Sequence, residues 1–72
     1  MENPNQNTLY FYNGVEKCCV RVDVKRKKYY SKFISDMIES ERSHDDDLVA
    51  QTMWYGMSIS KSEYDTGKIH LP

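Results

Sequence analysis

The sequence predicts a single small α+β domain: an N-terminal antiparallel β-hairpin packed under two short helices, completed by a C-terminal β-hairpin or strand. Three observations carry this reading. Residues 9–12 and 15–24 alternate around Asn13-Gly14, the pair favoured in two-residue hairpin turns. Tyr30, Phe33, Ile34, Met37 and Ile38 recur at helical spacing. Ser43-His44-Asp45-Asp46 has the Ser-x-x-Asp form of a helix start, followed by a second helical stretch.

The hairpin comes first. With Asn13 and Gly14 as the loop, Tyr12 faces Val15, Phe11 faces Glu16, Tyr10 faces Lys17 and Leu9 faces Cys18. One face then carries Leu9, Phe11, Cys18, Val20, Val22 and Val24. The other carries Thr8, Tyr10, Tyr12, Val15, Lys17, Cys19, Arg21 and Asp23, with Cys19 half-exposed. A hairpin alone is marginal in water, so its apolar face needs a cover.

A helix from about Lys28 to about Arg42 is the expected cover, with Phe33 at the middle of its apolar stripe. A second helix is expected from about Asp45 to about Tyr55, with Leu48, Val49, Thr52 and Met53 on one face. Asp45, Asp46 and Asp47 fall in its first turn, where negative charge is favourable, and Gly56 is its stop. Beyond it, Tyr64-Asp65-Thr66-Gly67-Lys68 reads as a hairpin turn with Gly67 left-handed. The alternative is a second helix that runs on to about Lys61.

The chain of 72 residues fits one domain, with residues 1–7 a polar, disordered leader and 8–72 the folded unit. A core of this size rarely yields more than about 3–5 kcal/mol, so small domains lean on disulfides, metals or self-association. Cys18 and Cys19 are adjacent, point to opposite faces of a strand and cannot bridge each other. That argues for a reducing, cytoplasmic setting and makes a homodimer the expected support. No apolar run is long enough for a transmembrane helix, and no membrane partner is expected.

Chemistry is sparse. Cys18, Cys19, His44 and His70 lack the paired spacing of a zinc site, and Asp45-Asp46-Asp47 lacks the alternate acids and turn glycine of a calcium loop. No nucleophile elbow or phosphate loop occurs, so neither catalytic residues nor a cofactor is expected. The net charge of −1 conceals a division. Lys25, Arg26, Lys27, Lys28 and Lys32 precede Asp36, Glu39, Glu41, Asp45, Asp46 and Asp47. On a helix over 28–42 those charges oppose the helix macrodipole.

These features favour a small non-enzymatic protein-binding module. The expected role is inhibitor or regulator of a host or defence enzyme, encoded by a phage or mobile element. Its partner is a host protein, for example a nucleic-acid-processing enzyme whose basic groove would accept carboxylates. The expected contacts are an acidic helical surface of Glu39, Glu41, Asp45, Asp46 and Asp47 and an aromatic sheet face of Tyr10, Tyr12 and Arg21. Trp54 joins them, because Trp54 and Tyr55 cannot both face one core from one helix. The alternative is a DNA- or RNA-binding regulator in which Lys25, Arg26, Lys27 and Lys28 meet phosphates and Tyr29 stacks on bases. A strand followed by two helices resembles the ribbon-helix-helix repressors, which as dimers insert strands into the major groove. Two features oppose that resemblance: Asn13-Gly14 gives the strand an intramolecular partner, and the acidic block repels DNA.

Overall fold

A computed structural model describes residues 7–71. Six of the seven residues of the expected leader lie outside the described residues; Asn7 lies inside, its carbonyl accepting from the Val24 amide at 2.8 Å. The elements are β1 (Thr8–Asn13), β2 (Cys18–Asp23), β3 (Lys28–Phe33), β4 (Ser40–Arg42), α1 (Asp47–Tyr55), β5 (Met57–Ser58) and α2 (Lys61–Thr66). The strands form one antiparallel sheet in the order β4-β3-β2-β1-β5. The α+β class, the N-terminal hairpin and the two short helices are as the sequence predicts, but one helix lies elsewhere in the chain.

β1 and β2 pair with Leu9 opposite Val22, Phe11 opposite Val20 and Asn13 opposite Cys18. The loop is therefore Gly14 to Lys17, four residues and not two. Asn13 explains the difference. It is the last strand residue and fully buried, and its Oδ1 accepts from the Val15 amide at 3.1 Å and the Glu16 amide at 3.0 Å. Its Nδ2 donates to Thr52 Oγ1 at 3.0 Å. The side chain thus closes an Asx turn, and Lys17, with φ 55°, supplies the left-handed residue. The register moves by four, an even number, so both predicted faces survive.

The helix expected over 28–42 does not form. Its residues make β3, a turn and β4. In the strand Tyr29, Ser31 and Phe33 share one face and Tyr30, Lys32 and Ile34 the other, so each face holds a polar residue between two apolar ones, and both faces are covered; aromatic residues favour the strand. Charge decides in the same direction. In the meander Lys28 reaches Glu41 at 3.3 Å and Arg21 reaches Glu39 at 2.9 Å. Lys28 and Glu41, which would oppose a helix dipole, become an attractive pair between β3 and β4, and Glu39 meets Arg21 of β2. Phe33 ends β3 half-buried and is not the centre of the core.

α1 begins two residues later than expected, and its cap is Asp46, not Ser43. Asp46 Oδ1 accepts from the Leu48 amide at 2.8 Å and the Val49 amide at 3.4 Å. Gly56 ends the helix as expected, through close packing: a Cβ there would meet the carbonyl oxygens of Thr52 and Tyr12. β5 then pairs with β1, Tyr12 facing Met57. The expected C-terminal hairpin turn is instead α2, opened by a Ser60–Glu63 capping box. Gly67 is left-handed, φ 74°, but as the helix C-cap.

The helices lie on opposite faces of the sheet. Val49 of α1 packs with Val20 and Val22, flanked by Phe11 and Tyr29. Tyr64 of α2 packs with Cys19 and Ile59, flanked by Tyr10, Tyr12, Ile34, Met57 and Ile69. Cys19 is buried, not half-exposed, because the face expected to be open is covered. No helix among the described residues is long and apolar enough to cross a membrane.

α2 carries a pH dependence. Glu63 accepts from the Ser60 amide at 2.9 Å and the His70 amide at 2.7 Å, and these bonds pull its carboxyl down to about 2. The contribution is complete above the ordinary value of 4.5 and is lost as pH falls towards 2. The melting temperature is expected to drop across that window. Glu63→Gln, which keeps a capping-box side chain, should flatten the profile; identical profiles for the two proteins would refute the assignment.

Candidate protein-binding surface

α1 lays Val49 and Thr52 on the sheet, and so its remaining faces point to water. Trp54 is 88% exposed, beside the exposed Met53 and Tyr55. Single exposed apolar residues are ordinary, but Trp54 points straight away from the Val49–Thr52 face, with Met53 and Tyr55 on the two flanks of the helix. Tyr55 is held by a hydrogen bond from its hydroxyl to Gln51 Oε1 at 3.2 Å. Asp47, seven residues before Trp54, falls on the same helical stripe two turns away. Asp45 lies just ahead of the helix, exposed, its carboxyl lowered chiefly by the Ser43 hydroxyl that donates to it. The outward side of α1 therefore combines an aromatic end with a carboxylate end.

The other acids are committed internally, and they do not form a helical surface. Glu39 precedes β4 and Glu41 lies on it. Glu39 takes a two-pronged contact from Arg21, Nε to Oε2 at 3.0 Å and Nη2 to Oε1 at 2.9 Å, and also accepts from the Tyr64 hydroxyl. The Arg21 contact holds its carboxyl below the usual carboxylate range. Glu41 pairs with Lys28, and Asp46, as the helix cap, pairs with Arg42 at 3.4 Å. Of the five predicted acids only Asp45 and Asp47 lack an ion pair among the described residues.

The aromatic sheet face is not free either. The Tyr10 ring lies 5.3 Å from that of Tyr64, and Tyr12 packs on the same cluster. Arg21 sits 4.0 Å from the centre of the Tyr30 ring. Tyr10, Tyr12 and Arg21 are thus brought together under α2, on the side of the sheet away from Trp54. Sequence reasoning missed their cover, although Ser60-x-x-Glu63 is the signal for it.

The basic residues cluster at one end of the sheet. Lys25, Arg26 and Lys27 lie in the exposed β2–β3 turn, with Arg26 loosely paired to Asp23 at 3.9 Å and Lys28 to Glu41. Tyr29 turns the other way and packs half-buried beside Val22 and Val49. The strand-helix-helix order behind the repressor resemblance does not occur among the described residues, where β5 separates the two helices.

No protein-family model matches the chain, and no curated protein matches it. Among solved structures, it is similar to a chain in the crystal structure of the complex between the Type VI effector Tas1 and its immunity protein. The TM-score is 0.76 at 24% identity, covering 90% of this chain and 87% of the other. The likeness is one of fold across nearly the whole of both chains.

Proposed function

We propose that the chain is a non-enzymatic inhibitor that binds an effector-type protein, in the manner of an immunity protein. The outward face of α1 is its docking surface. Trp54 carries the reading: a tryptophan 88% exposed on an ordered helix, with Tyr55 beside it and Asp47 on its own stripe. Tryptophan and tyrosine dominate interface hot spots, where each gives up a large wet surface to a partner pocket. The complementary surface is an apolar recess with cationic groups on the side that receives Asp45 and Asp47. The fold shared with a chain from an effector–immunity complex supports the same class of role. On this reading the host or defence enzyme expected from the sequence is an effector-type protein.

The test is capture of a protein from lysate of the source cells, followed by measured affinity for the purified partner. Trp54→Ala is expected to weaken that affinity by about 2 kcal/mol, roughly thirtyfold, with an unchanged melting temperature. A Lys25→Ser, Lys27→Ser double variant should bind as the parent does. Undiminished affinity in Trp54→Ala, or tight binding of random-sequence DNA or RNA lost in the double variant, would overturn the proposal.

A further inference from the structure

On the sheet face opposite α1, an open cleft of about 400 Å³ lies against α2. Three cations line it, Arg21, Lys32 and Lys61, with two carboxylates, Glu39 and Asp65, and the Tyr64 ring. Both carboxylates are engaged. Glu39 is held by Arg21 and the Tyr64 hydroxyl, and Asp65 by Lys61 at 2.7 Å.

Lys32 differs. It is only 8% exposed, one residue from the end of β3, and its side chain forms neither a hydrogen bond nor an ion pair among the described residues. Its Nζ rests 4.2 Å from the centre of the Tyr64 ring. A ring face steadies the ammonium but accepts no N–H bond, so its three donors, which are not sealed from water, are left for what enters the open cleft. Nor is that ring a counter-ion, because burial and Glu39 push the Tyr64 hydroxyl far above its ordinary value and keep it neutral. A buried charge is otherwise paired, and replacing one with an apolar residue of similar size is often neutral or stabilising. A fold that needed only packing here would be served by methionine.

We infer that this cleft is a binding site for an oxyanion, a carboxylate or phosphate group, received by the Lys32 ammonium on the floor of the cleft. Lining charges of three positive and two negative leave one positive charge uncompensated. The oxyanion takes charge-assisted hydrogen bonds from Nζ, with Tyr10 and Met37 as apolar walls for whatever carries it. The group is either a free small anion or an acidic side chain of a bound protein. The cleft lies across the sheet from Trp54, so it does not depend on the α1 surface.

The experiment is a titration of the isotopically labelled chain at constant ionic strength, followed by amide chemical shifts. The probes are inorganic phosphate, acetate and a capped Gly-Glu-Gly peptide. Saturable shifts are expected at Tyr10, Lys32 and Tyr64 and not at Trp54. Saturation by phosphate or acetate identifies a free-anion site; saturation by the peptide at lower concentration identifies a side-chain acceptor. Lys32→Met should weaken binding by more than about tenfold while raising the melting temperature. Lys32→Gln is read in the same way should the methionine variant misfold. Shifts that never saturate, or saturation that survives loss of the ammonium, would overturn the inference.

Discussion

Tyr64→Ala is expected to destabilise the domain by about 3–5 kcal/mol, the usual cost of removing a buried aromatic ring. Tyr64 is 2% exposed and is the only buried residue that α2 contributes. Its ring packs against Tyr10 and supports the Lys32 ammonium, and its hydroxyl donates to Glu39. Truncation opens a cavity beneath α2 and unties the Arg21–Glu39 pair from the helix. In a domain whose core supplies only a few kcal/mol, that approaches the whole stability. Tyr64→Phe keeps the ring and should cost about 1 kcal/mol for the lost hydroxyl bond. Urea denaturation distinguishes the two, and a midpoint unmoved by the alanine would mean that α2 is not docked.

Asn13→Ala is expected to cost roughly 2–4 kcal/mol, although it removes only a small polar side chain. Asn13 holds three groups at once: the Val15 and Glu16 amides that close the first turn, and the Thr52 hydroxyl on α1. The turn amides can regain water, whereas Thr52, itself fully buried, cannot do so without opening the helix–sheet contact. Because the two side chains share one bond, the double variant Asn13→Ala, Thr52→Val should lose less than the sum of the single variants. Strict additivity in chemical denaturation would show that the bond does not couple the turn to α1.

Asn13 also marks the limit of what the sequence could reveal about the hairpin. Alternation over 9–24 assigns the faces correctly, and Asn-Gly locates a turn nearby. It cannot show that the asparagine stays in the strand, because what holds it there is Thr52, far along the chain. Residues 28–34 carry a helical apolar spacing and no strict alternation, and there the helix dipole argument is the better guide: Lys28 and Glu41, in the wrong order for a helix, are in the right order for a hairpin. The capping signature at Ser43 places the cap three residues too early, and the fuller signature at Ser60, where a glutamate can return the bond, is the one the sequence reading passed over. Trp54 was legible because two adjacent aromatics on one helix cannot both be buried. The Lys32 cleft was not, because its walls come from β1, β2, β3 and α2 and meet only in three dimensions.

The position of β5 bears on the order in which the molecule assembles. β1 to β4 form a meander, each strand pairing with the next, so these contacts are local and quick to form. β5 returns to β1, joining Phe11 to Ser58 across 47 positions of sequence. α1 precedes it on one face of the sheet and α2 follows on the other. The final third of the chain is therefore a clasp passed around one edge. Until it closes, at the entropic cost of a long loop, Val20, Val22 and Cys19 stay wet on both sides of a half-made sheet. The hazard of misassociation is thus concentrated in one late event, and in a nascent chain that event must wait for the C-terminal segment to leave the ribosome.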